Sequence, residues 1–185
     1  MKRNVASAVI ALAVLWGCAT PAPPQLVIEP GASLTGYKNL AVAPVTNDTG
    51  QKFDFDFVGA FTGYLKGALT AKGYDVTDAS AAPSDALIIQ CSFLTYEPGN
   101  AVERGFGAGA TVAIVKTTII DKKSGKPVAD MVSTKRIGAG TLGLPILIAP
   151  LSVPLEAAAT AGAYKSVLQK VANDVATAID KKIKP

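Results

Sequence analysis

The stretch Thr111-Val-Ala-Ile-Val-Lys-Thr-Thr-Ile-Ile-Asp121 most constrains how this chain can fold. Most of its residues are β-branched, so their side chains are stiff at χ1, lose freedom in a helix and fit a pleated surface. Just ahead lies Glu103-Arg-Gly-Phe-Gly-Ala-Gly109, with glycine at 105, 107 and 109. Alternating glycines let a backbone reach φ > 0 or pass close to another segment. Just behind lies Lys122-Lys-Ser-Gly-Lys126, a tight turn. A glycine corner therefore feeds the longest strand in the chain, and a hairpin closes it.

The other elements are placed around that strand. Asn39–Val45 reads as a first strand with Pro44 near its end, and Asn47–Gly50 as a turn. A helix is expected from an N-cap at Asp54 to Lys72, stopped by Gly73, with an apolar face of Phe57, Phe61, Tyr64 or Leu65, and Ala68. Tyr74–Thr77 is a short strand. Ala86–Tyr96 is a longer one, expected to be central because both its faces are apolar. Pro127–Ile137 forms the fifth, with Asp130, Thr134 and Arg136 directed outward from Val128 and Val132. A final helix over Leu155–Ile183 carries the stripe Tyr164, Leu168, Val171, Val175, Ile179 and Ile183. The class is α+β: a mixed, largely antiparallel sheet of about five strands covered by two helices. On the first helix Gly59, Gly63 and Gly67 recur every four residues. They read either as a thin surface lying close on the sheet or as a helix–helix dimer face.

The N-terminus has a different logic. Met1-Lys-Arg-Asn is a positive n-region, and Val5–Leu15 an apolar run too short to span a bilayer comfortably. Leu15-Trp-Gly-Cys18 resembles the lipobox of bacterial lipoproteins, although Trp16 stands where a small or β-branched residue is usual. The competing reading is an ordinary signal peptide with a coincidental cysteine. Against it stands an apolar run that stops at Cys18. Residues 1–17 are thus a lipoprotein signal peptide, 18–37 an acylated cysteine and Pro-rich tether, and 38–185 one domain. Ala19, in place of aspartate, implies by the same resemblance a lipid anchor in the outer membrane, facing the periplasm.

Composition excludes several classes of function. Losing Lys2 and Arg3 from eighteen basic residues leaves sixteen against fourteen acidic ones, and there is no basic stripe with interleaved aromatics, so nucleic acid is not an expected partner. The chain contains no histidine. Histidine-activated nucleophiles, histidine general bases and His-ligated zinc are excluded with it. Of two cysteines, acylation of Cys18 leaves Cys91 alone; it alternates with Leu87, Ile89 and Phe93 and reads as a buried structural thiol. Gly105–Gly109 opens a strand, where a dinucleotide loop needs a helix N-terminus. No catalytic, metal or cofactor site is expected, and the chain is read as a non-enzyme.

Together, Gly105-Phe-Gly-Ala-Gly109, the β-branched strand and Asp121-x-x-Ser-Gly125 resemble the DUF4410 family of bacterial lipoproteins, from about Tyr37 to the last helix. The resemblance implies an envelope lipoprotein with an α+β domain and no assigned catalytic residues. The role expected is a non-catalytic binding or assembly module with a protein partner in the envelope. The alternative is a carrier of a small apolar ligand or lipid. Candidate contact residues are Arg104, Gly105, Phe106, Gly107 and Gly109 at the corner. To these are added Leu142, Leu144, Ile146, Leu147 and Ile148 in the proline-broken apolar run Gly138–Val153, which either folds over the core or meets a partner or membrane.

Overall fold

The computed structural model describes residues 24–99, 110–137 and 154–185, with the side chains of the last stretch described from Lys165. Among the described residues there are seven strands and two α-helices. The strands are β1 Val27–Ile28, β2 Asn39–Val42, β3 Thr46–Asn47, β4 Asp75–Asp78, β5 Leu87–Glu97, β6 Thr111–Asp121 and β7 Lys126–Ile137. The helices are α1 Phe57–Ala71 and α2 Pro154–Ile183. The sheet runs β1-β7-β6-β5-β2-β4, with β3 beside β5 past the end of β2. Strands β2, β3, β4 and β5 are parallel to one another where they pair, and β6, β7 and β1 continue antiparallel.

The fold class stands as expected, with two additions and several corrections. The strand count rises from about five to seven through the two-residue β1 and β3. Strand β6 has the bounds that its β-branched run predicts. The turn after it works as its residues suggest: the Asp121 carboxylate accepts the backbone N–H of Lys123 (3.2 Å) and Ser124 (3.1 Å), and Gly125 sits at φ +67°. Helix α1 is capped by Asp56 and not Asp54, its Oδ1 accepting the Gly59 N–H at 2.7 Å. Phe53-Asp-Phe-Asp-Phe57 alternates with period two, so its phenylalanines turn inward while the backbone is still extended and the helix starts late. Gly73, at φ +87°, ends the helix.

One face of the sheet takes both helices. Leu40, Val42, Leu87, Ile89, Val115 and Ile119 are buried there against Phe61, Leu65 and Leu69 of α1 and against α2. On α2, Leu168, Val171, Val175, Ile179 and Ile183 of the expected stripe are all buried. Each such side chain contributes about 1.5–3 kcal/mol through removal from water. Cys91 is buried as well, and burial pushes its thiol up to about 11.

Among the described residues no layer covers the opposite face, so β5 is not sandwiched there between two apolar layers. Gln90 is exposed and Leu94 is 44% exposed. Both helices lie on the other side, and among the described residues the apolar second face read on this strand has its cross-strand neighbours beside it. On β7 the parity differs from expectation. Ala129, Met131 and Ser133 face the core and Val128, half-buried where the register against β6 steps, packs on it as expected, but Val132 lies on the outer face with Asp130, Thr134 and Arg136 and is 52% exposed. A bulge at Leu94 also shifts β5. Beyond it Tyr96 is buried in the core and Thr95 is not, because the register against β6 steps between Phe93 and Thr95.

Part of the stretch expected as a tether, 18–37, belongs to the packed domain. Leu26 and Leu34 are buried in the core, and Val27 and Ile28 pair with Asp130 and Ala129 of β7. Finally, Gly59, Gly63 and Gly67 lie on the exposed side of α1, not against the sheet. A β-carbon at Gly63 or Gly67 would meet nothing within 4 Å, whereas one at Gly59 would strike the capping Asp56 carboxylate.

Candidate functional site

All of the contact residues expected from the sequence lie outside the described residues. These are Cys18, Arg104, Gly105, Phe106, Gly107 and Gly109, with Leu142, Leu144, Ile146, Leu147 and Ile148. What the structure describes is the framework from which those segments spring. The registers put the last residues of β5, the first of β6 and the last of β7 at one end of the sheet: Glu97 lies opposite Val112, and Thr111 opposite Ile137. Residues 100–109 and 138–153 therefore both depart from that end. Thr111 Oγ1 donates to the Pro98 carbonyl at 2.7 Å, tying the two stems of the first segment together.

Beneath those stems lies an aromatic cluster. Phe57 stacks on Tyr96 with ring centroids 4.8 Å apart and planes 12° off parallel. Phe93 meets Phe57 edge-on at 4.9 Å and Phe61 at 5.1 Å. Phe53, half-buried, caps the cluster edge-on at 4.9 Å from Phe57 and 5.2 Å from Tyr96. Edge-to-face and offset pairs of this kind add about 0.5–1.5 kcal/mol each beyond area burial. Reading the sequence for helical spacing found Phe57 and Phe61 but missed Phe53, Phe55 and Tyr96. The period-two Phe-Asp-Phe-Asp-Phe run was the available signal. The bulge that admits Tyr96 left none.

The other end of the sheet is polar. Thr35, Gly36, Tyr37, Lys38 and Asn39 join Asp75, Asp85, Asp121 and Lys123 around an open cleft of about 590 Å³. Tyr37 donates its hydroxyl to Asp121 Oδ1 at 3.3 Å, and Asn39 Nδ2 donates to both Asp85 oxygens at 3.1 Å. The Ser124 side chain, the turn N–H groups and Tyr37 hold the Asp121 carboxyl below its usual range. Burial and the Asp121 charge push the Tyr37 phenol up. Two of the three carboxylates thus serve as acceptors that bind the chain's own segments together. Among the described residues no three His, Cys, Asp or Glu side chains gather as metal ligands. Nearby, Asp180 of α2 accepts from Tyr74 (2.8 Å) and pairs with Lys184 (3.2 Å) and Lys72 (3.5 Å). Those contacts pin both helix C-termini to this end.

Comparison with known proteins agrees with the resemblance read from the sequence. Residues 43–141 match the model of a domain of unknown function, DUF4410, and the chain belongs to that family. Among solved structures, it is similar to the PelC dodecamer from Paraburkholderia phytofirmans, at 17% identity and TM-score 0.51, over 82% of this chain and 96% of that one. It is also similar to a DUF330 protein from Xanthomonas campestris, at 15% identity and TM-score 0.54, over 83% of this chain and 91% of that one. A minor lipoprotein from Acinetobacter baumannii aligns at 14% identity and TM-score 0.42, over 78% of this chain and 94% of that one. At these identities the likeness is one of fold. No curated protein matches the chain.

Proposed function

We propose that this protein is an outer-membrane lipoprotein, acylated at Cys18 and facing the periplasm, whose domain is a non-catalytic binding or assembly module. The observation that carries the reading is that the ends of β5, β6 and β7 from which residues 100–109 and 138–153 continue lie together at one end of the sheet, beside the aromatic cluster. Loops raised on such a base are where binding residues concentrate. Arg104, Phe106 and the glycines of the corner, with Leu142, Leu144, Ile146, Leu147 and Ile148, are the proposed contacts. The partner is a protein of the envelope. The PelC neighbour is a dodecamer, so further copies of this chain belong among the partners to be tested.

The carrier alternative has less support. It needs an apolar cavity under residues 142–153, which lie outside the described residues, and the cleft described at the opposite end is polar, lined by aspartates, lysines, an asparagine and a tyrosine among others. Cross-linking in intact envelopes followed by capture of the wild-type chain and a Cys18→Ser variant tests the proposal. Wild type should fractionate with the outer membrane and bring down a discrete cross-linked species, lost in the variant. A Cys18→Ser chain that is fully processed and still sediments with the outer membrane overturns the anchoring.

A further inference from the structure

The path of the chain into the domain fixes how the domain stands on its membrane. Val27 pairs with Asp130 and Ile28 with Ala129, so β1 runs antiparallel to β7. Because β7 runs from the polar end at Lys126 toward the aromatic end at Ile137, the residues preceding Val27 come from the aromatic end. Burial of Leu26 and the bond from Glu29 N–H to the Val128 carbonyl (2.9 Å) hold this entry on both sides of β1.

Length then decides where the anchor falls. From Val27 back to Cys18 is nine residues, with prolines at 21, 23 and 24. A Pro-rich chain of that length reaches about 28 Å when extended at ~3.1 Å per residue. Along β7, Asp130 to Ile137 spans about 23 Å at ~3.3 Å per residue. A tether that keeps its heading thus brings its acyl chains level with the rim of the aromatic end. The polar cleft lies a further four residues of β7 in the other direction, which puts it about 40 Å from the anchor on the same scale.

We infer that the aromatic end of the sheet, with Phe53 and Phe55 and the stems at Pro98, Thr111 and Ile137, is apposed to the lipid surface, and that the Tyr37–Asp121 cleft opens away from it. This rests on acylation of Cys18. The acyl chains supply the binding energy, at about 0.8 kcal/mol per buried methylene, so the apposed surface needs no basic cluster of its own. It follows that a partner of residues 100–109 is met at the bilayer surface, and a partner of the cleft in the open periplasm.

The test uses the full acylated chain inserted into preformed vesicles of phosphatidylethanolamine and phosphatidylglycerol. A fluorophore is placed on Lys52→Cys, beside Phe53, or on Lys123→Cys, in the β6–β7 turn; both native side chains are exposed. Energy transfer to an acceptor lipid should be at least twofold higher from position 52 than from 123. Replacing Pro21, Pro23 and Pro24 by glycine should shrink that difference. Equal transfer from the two positions, or more from 123, overturns the orientation while leaving the anchor intact. A wild-type chain that does not float with the vesicles overturns the acylation itself, and the orientation with it.

Discussion

The two ends of this sheet are held together by different physics. At the polar end the contacts are polar and directional: a carboxylate capping its own turn, a tyrosine and an asparagine on aspartates brought to them by the fold, and Asp180 drawing in Tyr74, Lys72 and Lys184. At the aromatic end they are apolar, rings from the α1 entry packed on rings from β5. A net hydrogen bond is worth about 1 kcal/mol, whereas a buried aromatic ring is worth several. The end that bears the candidate contact segments is thus the one whose base depends most on packing.

The difference can be broken most forcefully at Phe57, which is buried and meets four other rings. Phe57→Ala should cost about 3–5 kcal/mol, measured by urea denaturation. A loss below about 1 kcal/mol would mean that the cluster is not what supports this end.

At the polar end, Asp180→Asn should cost about 1 kcal/mol at pH 7, since the carboxylate is partly exposed and its ion pairs are screened. Tyr74, Lys184 and Lys72 hold the Asp180 carboxyl below its ordinary value in the folded chain. Its contribution is therefore fully present above the unfolded value near ~3.9 and is lost as pH falls through the lowered folded value. Melting curves of the wild type and the variant should differ at neutral pH and converge in acid. A gap that persists in acid would assign the effect to something other than charge.

The smallest effect has the opposite sign. Gly63→Ala, on the exposed side of α1 with open space around it, should stabilise the monomer by up to about 1 kcal/mol. A destabilised variant, or loss of a higher oligomer on sizing, would show that another helix lies on this face.

Local chemistry was legible from the sequence, and packing was legible only in part. The β-branched run gave the bounds of β6, and helical spacing gave the buried stripe of α2, because in each case one element alone sets the pattern. Alternation along β5 failed past Phe93, since a bulge inserts a residue and exchanges the faces of everything after it. Alternation along β7 failed at Val132, which lies on the solvent side with Asp130, while Val128, beside a step in the register, packs on the core with Ala129, Met131 and Ser133. Prolines concealed β1, whose two residues pair with a strand a hundred positions away. The polar cleft draws on four separate stretches of chain and has no local signature. Neither has the aromatic floor, apart from the alternation that begins at Phe53.

The central claim is that one end of the molecule does the binding. A photo-cross-linking residue in place of Phe106, at the glycine corner, and another in place of Lys123, in the turn at the opposite end, tests it in intact envelopes. The account predicts a discrete adduct from position 106 and none from 123. A discrete adduct from 123 with none from 106 would contradict it, and would make the polar cleft the working surface of the domain.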